Sequence, residues 1–524
     1  MSAVLAVVVT GAAALYIFLR TLLHVTQDKT EPPMVETTIP FLSPILGMAT
    51  RKGEFYPCLR YGLREIQTSH LYLMPGSKLY VINSTALLSL VQRQYRTLSF
   101  TPIEAKAARD LMGCSDTASK IISLDPTKDG SYLMSFAKAI HPALAPSIHL
   151  DAMNRVSVQR ISDVFDELQA TAPNKVNLFE WASHSMLLVS TDAVFGSQNP
   201  FRASALEEAW YRFEPSIIIF MLGLFPSILA SDALKAREQI VSAIEGYLSS
   251  GAPDDPDTSE LVRARLAHNN SFSIPIKDQA RFEMGNIFAI LGNTLPSSFW
   301  ILFHVYSDPS VLSDIGDEVS KLVTTTLSSD GVTTHTIDAA AVKTGCPILI
   351  STLREVFRYH GVGTSPRLVM EDHLLDGKYL LKKGNTVMIP GRVQHMDHSI
   401  WGQDVSTFNH RRFVATDDAY QRPSPVAFRG FGGGTTLCPG RHFASTEILV
   451  FAALMVMRFD VRPSGGKPWI QPTVDKSPMA AAIPVPDGDI EVQVELKGPK
   501  EQEWRVSFSG SGSALELSAE GVRD

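Results

Sequence analysis

Cysteine is scarce in this chain: four residues in 524, Cys58, Cys114, Cys346 and Cys438, with no C-x-x-C pair. That scarcity excludes a disulfide framework and a structural zinc site, and it fits a reducing compartment. A dominant charge is lacking too, since 47 basic and 54 acidic side chains leave a formal net charge of −7 with no local basic patch. Without such a field no nucleic-acid partner is expected. No segment repeats at the periods of solenoids or propellers. No histidine stands with an orienting acid at a spacing that would make a cysteine a hydrolytic nucleophile. What is present is a 45% hydrophobic, 19% charged composition, which suits a large folded core rather than a disordered chain or a polytopic membrane protein. The length allows two to four average domains or one large enzyme domain, and does not choose between them.

Charge is absent from the first 19 residues, and residues 3–19 read AVLAVVVTGAAALYIFL before Arg20 interrupts them. As a helix this run is roughly 25 Å long, enough to cross a bilayer once its flanks snorkel. A cleaved signal peptide would carry a basic leader and a shorter apolar run, whereas here the nearest basic groups, Arg20 and Lys29, follow the run. A retained single-pass anchor is therefore expected over residues 1–24, with the bulk of the protein in the cytosol at the endoplasmic reticulum. The sequons at Asn83 and Asn269 would then go unused. Pro32, Pro33, Pro40 and Pro44 suit a stiff linker over residues 25–50. Residues 51–506 form the expected catalytic domain, and the low-complexity tail, residues 507–524, is expected to be disordered.

Residues 278–306 carry apolar side chains on nearly every face, the pattern of a long buried helix. Residues 349–359 and 442–457 also have helical spacing, and short strands with turn signals lie between, such as residues 379–390 around Gly384. The fold class is mainly α with a minor β-sheet region.

Residues 431–444 read FGGGTTLCPGRHFA, one cysteine in a glycine-rich loop leading directly into an apolar helix. Gly432, Gly433 and Gly434 let backbone approach closely, and Gly440 completes the turn around the sulfur. A thiolate before a helix N-terminus is stabilised by the dipole and by N–H donors, which lowers its pKa. That is what an axial ligand to iron requires, although a lone buried cysteine in a structural turn is the commoner fate. The run resembles the haem-binding pattern F-x-x-G-x-x-x-C-x-G of the cytochrome P450 family at Phe431, Gly434, Cys438 and Gly440. The family's basic residue two positions before the cysteine is replaced by Thr436.

The resemblance implies more. E-x-x-R occurs at Glu260/Arg263, Glu355/Arg358 and Glu520/Arg523, but only the second lies on an apolar helix at the family's distance from the cysteine. FNHRRF, residues 408–413, is similar to the family's F-x-P-E-R-F, and makes Arg412 the third member of a Glu355–Arg358–Arg412 brace. QHMDHSIWGQD, residues 394–404, looks like the segment leading into that meander, with His395 and His398 as ordinary polar loop residues. Arg367 occupies the position from which the family reaches a haem propionate. The family's W-x-x-x-R has no clear counterpart, with Lys138 or His141 as weak substitutes.

In the central helix the family's acid–alcohol pair is missing, and the chain reads Ala289, Ile290, Leu291, Gly292, Asn293. Asn293 can orient water, a substrate hydroxyl or a peroxide, but it cannot act as an acid. Thr294 follows about 100° around the helix, as a second catalytic candidate. Pro296 leaves the Gly292 carbonyl without its helical donor and implies a kink. GNTLPSSFW and TTLCPGR are similar to the branch containing sterol 7α-hydroxylases and prostacyclin synthase.

By this resemblance the cofactor is haem b with Cys438 as metal ligand, and electrons come from NADPH through a cytochrome P450 reductase, with cytochrome b5 as an optional donor. The substrate is a lipophilic small molecule: a sterol, a terpenoid or a polyketide intermediate of secondary metabolism. Lining positions carried over from family topology are residues 101–112, 291–297, 361–365 and 479–483. An isomerase acting on a peroxide or epoxide without external electrons is the alternative.

Overall fold

The computed structural model describes residues 2–57, 69–74, 76–223, 225–329, 331–414, 424–477 and 480–510. Cys58, Met479 and tail residues 511–524 lie outside them. The chain forms two compact units, one built from Met1–Ile103, Val362–Val405 and Pro423–Leu437, the other from the remainder.

The first unit begins with helix Ser2–Thr26, in which Val4–Leu23 is long and apolar enough to cross a membrane. Its end is tied down, because Leu23 packs into a core with Leu71, Tyr80, Ile82, Leu88 and Val387. That core covers a five-stranded sheet in the order Ser69–Met74, Ser77–Ile82, Thr386–Pro390, Thr364–Val369, Leu98–Ser99. The linker is not a free spacer. Val35 N–H donates to Leu71 O (3.0 Å) and Leu71 N–H to Pro33 O (2.9 Å), so the proline-rich segment satisfies an otherwise open sheet edge. Arg367 lies mid-strand opposite Val387, which fixes the height at which its side chain leaves the sheet.

The second unit is helical around one axis, the central helix Ile276–Ser307. Pro275 precedes it, Asp278 favours its first turn, and it ends at Asp308, whose carboxylate accepts from Ser310 N–H (2.8 Å) to cap the next helix, Pro309–Ser320. The helical backbone runs through Pro296, with the Ser297 hydroxyl donating to the Asn293 carbonyl (2.6 Å). Helices Leu178–Phe195, Ser231–Ser249, Pro347–His360 and Arg441–Arg458 pack around it. Two small sheets complete the unit: Phe459–Pro463 with Glu491–Leu496 and Asn174–Asn177, and Glu503–Ser507 with Thr333–Asp338 and Val323–Leu327. The start of the tail is ordered, since Ser509 N–H donates to Asp338 (3.0 Å).

Candidate active site

Helix Pro347–His360 presents Glu355 and Arg358 one turn apart, both fully buried. Arg358 forks to the carboxylate through Nε (2.7 Å) and Nη2 (2.7 Å). Arg412 Nε donates to the same carboxylate (3.1 Å), as does the Asn409 N–H (2.9 Å). Both guanidiniums also donate to the Thr407 carbonyl, at 3.3 and 3.2 Å. One carboxylate thus organises two cations and the meander that carries one of them. His410 and Arg411, which stand where the family has Pro and Glu, both turn to Asp314.

The loop divides at the cysteine. In the first unit Phe431 is partly buried, Gly432 and Gly434 adopt positive φ (82° and 60°), and Gly434–Thr436 forms one short turn. A Cβ at Gly432 would lie 2.8 Å from the Thr436 carbonyl, so the turn needs glycine on two counts. Thr436 is engaged: Arg367 Nη2 donates to its hydroxyl (2.6 Å), which donates on to Gly433 O (3.1 Å). The residue in place of the family's basic side chain therefore docks Arg367, which is buried and lies over the Phe100 ring.

In the second unit Cys438 stands three residues before helix Arg441–Arg458, and a Cβ at Gly440 would lie 4.0 Å from its Sγ. The helix terminus does not lower the thiol's pKa on balance. Burial pushes it up, more strongly than the Gly440 N–H and the Arg441 charge and N–H pull it down. Desolvation outweighs the helix terminus here, and a bound cation would invert that balance. Cys114 and Cys346 are free and buried, both pushed up to about 12, as inert thiols are.

Between Met284 and Leu295 the residues of the central helix that stay accessible are Gly285, Asn286, Phe288, Ala289, Ile290 and Asn293. They recur three and four apart and so share one face, while Leu291, Thr294, Leu295 and the following turns are buried. Asn293 is fixed on that face: its Oδ1 accepts from the N–H groups of Ala482 (3.0 Å) and Ile483 (3.2 Å). Its acceptor is thereby used, and the Nδ2 amide remains as a donor. Thr294 is buried off this face, and the structure does not bring it together with Asn293. At Gly292 a Cβ would lie 2.8 Å from the Phe288 ring, so that ring occupies the space an acid would need.

In the second unit, a sulfur donor at a helix start and an accessible, largely small and apolar helix face fit the iron and ring of haem b, which Cys438 would ligate. In the first unit, the buried guanidinium of Arg367 suits a carboxylate, and it would hold a propionate.

Sequence reasoning missed two residues. His395 Nε2 accepts the Arg429 N–H (2.8 Å), which fixes the start of the loop and the neutral tautomer, and Arg429 itself is buried. Arg429 carries no motif, and His395, expected as an ordinary polar loop residue of the segment 394–404, is instead buried at the end of helix Gly391–His395; burial of either is visible only after folding.

A family model described as cytochrome P450 matches residues 255–486. The cytochrome P450 monooxygenase nodJ of Hypoxylon pulicicidum is 34% identical over 500 residues, covering 94% of this chain and 95% of that protein. Cholesterol 7-alpha-monooxygenase of Cricetulus griseus is 29% identical over 295 residues, 52% of this chain and 57% of that protein, which agrees with the sterol 7α-hydroxylase-like branch. The solved structure of retinoic-acid-bound cyanobacterial CYP120A1 shares the fold at a TM-score of 0.68 and 18% identity, covering 89% of this chain and 99% of that one. With the cysteine loop, the glutamate–arginine brace and a relative of this identity over nearly its whole length, the chain belongs to the cytochrome P450 family and is a P450 monooxygenase.

Proposed function

We propose that the enzyme is anchored in the endoplasmic reticulum membrane by its first helix, faces the cytosol, and hydroxylates a lipophilic small molecule of the sterol, terpenoid or polyketide class. Electrons come from NADPH through a reductase. One dioxygen, two electrons and two protons are consumed, one oxygen atom enters a C–H bond, and the other leaves as water. When bound, haem b supplies the dioxygen chemistry, tuned by electron donation from a thiolate ligand.

The observation that carries the proposal is the accessible face of the central helix, made of Gly285, Asn286, Phe288, Ala289 and Ile290 and closed by the fixed Asn293 amide, with the Asn286 amide donating to Glu283 (3.1 Å). Such a surface accepts an apolar skeleton and offers one directed N–H to a hydroxyl, a carbonyl or a water. Asn293 positions and does not acidify, so protons reach the site through water that it holds. The apolar helix Val4–Leu23 supports delivery of substrate from lipid. Asn83 and Asn269 are buried, which supports their remaining unglycosylated.

The lack of an acid at Gly292 equally suits rearrangement of a peroxide or epoxide without external electrons. Membranes carrying the enzyme, given candidate lipids with and without NADPH and reductase, separate the two. The proposal expects a product one oxygen heavier that requires both. Turnover of a peroxide to an isomer without them would replace it with the isomerase.

A further inference from the structure

The first unit holds a second guanidinium. Arg429, in the segment entering the cysteine loop, is 8% exposed, and its backbone is pinned by His395. Its Nη2 reaches the Ser365 hydroxyl at 3.3 Å, a long contact for a cation with several N–H donors. Among the described residues no carboxylate lies within ion-pair distance of it. Its charged neighbour is Arg367, of the same sign, and burial together with that neighbour pushes the Arg429 pKa down to about 10, which leaves it protonated at neutral pH. Space has been made for it as well. A Cβ at Gly433 would lie 2.4 Å from Arg429 Nη1 and 2.8 Å from Gln92 Nε2, so the bare backbone lets the guanidinium lie against the loop. Gly433 is extended, so room rather than conformation calls for glycine there.

A buried cation beside a like charge is costly unless an anion completes it. Two guanidiniums at the loop that leads to Cys438 suit a bidentate carboxylate, and haem b carries two. We propose that Arg429 binds a haem propionate beside Arg367, supplying the positive charge that Thr436 does not. This rests on the haem reading of Cys438.

The test crosses the side chain with the cofactor. Wild type, Arg429→Met, Arg429→Lys and Gly433→Ala are each loaded with haem b or with haem dimethyl ester, whose propionates are uncharged, and haem transfer to excess apomyoglobin is timed. With haem b, Arg429→Met should release cofactor about 10-fold faster, the size of one charge-assisted hydrogen bond. Gly433→Ala, which displaces the guanidinium but keeps its charge, should shift release in the same direction, and Arg429→Lys should recover part of the loss. With the dimethyl ester the four proteins should release alike. Equal acceleration with both cofactors, or none with haem b, would overturn the assignment. Failure of every form, wild type included, to take up either cofactor would overturn the haem reading itself, and this inference with it.

Discussion

Two arginine clusters in this protein have opposite accounting. Around Glu355 the charges close on themselves, with two guanidiniums, one carboxylate and a shared carbonyl, all held by the chain. Around Arg429 the nearest charge is another arginine, and Arg429 has a single distant hydroxyl for company. Asn293 stands between the two cases, with its carbonyl closed by two amides and its N–H side open. The closed cluster belongs to folding, and the open one to something the chain binds. A buried charge that is completed internally stabilises when intact, whereas one that is not destabilises until its partner arrives.

The comparison can be broken in several places. Glu355→Gln should have the largest effect, because it leaves two buried guanidiniums facing a neutral amide. A loss of about 3–5 kcal/mol in denaturant unfolding is expected, with poor recovery of folded protein. A loss below about 1 kcal/mol would mean that the brace is not a buried ionic cluster. Asn293→Ala should cut kcat/KM by about 10- to 100-fold while haem content per protein stays near wild type, since it removes one directed donor worth about 1.4–2.7 kcal/mol. Asn293→Asp sharpens this, keeping the acceptor for Ala482 and Ile483 while losing the N–H. It should share the kinetic defect, and wild-type kinetics in either variant would remove the role. Thr436→Val takes the hydroxyl from Arg367 and should cost about 1 kcal/mol of stability. Arg429→Met should be the mildest without haem, within about 1 kcal/mol of wild type or more stable, because it removes a charge the chain does not balance. A drop like that of Glu355→Gln would erase the distinction between the clusters.

Legibility in the sequence follows the range of the interaction. Glu355 and Arg358 are a turn apart on an apolar helix, so their meeting is local geometry, whereas Arg412 is reached through the similarity of FNHRRF to the family's F-x-P-E-R-F. The cysteine loop is legible through its resemblance to the family's haem-binding pattern. Asn293 was singled out, but its partners lie almost two hundred residues onward at Ala482 and Ile483, and nothing in the sequence says which of its two polar atoms they take. Arg429 carries no pattern, and its isolation is a fact of burial. The thiol of Cys438 shows the same limit from the other side, since the helix terminus is written in the sequence while the desolvation that outweighs it is not. The linker's pairing with Leu71 likewise depends on which strand edge is left open.

The most direct test of the whole account is the absorption spectrum of the reduced carbon monoxide complex, taken on wild type and on Cys438→Ala. Wild type should give the red-shifted Soret band of a thiolate-ligated haem, and the alanine variant should lose that band whatever haem it retains. A colourless wild-type protein after ample hemin supply, or a variant that keeps the thiolate band, would contradict it.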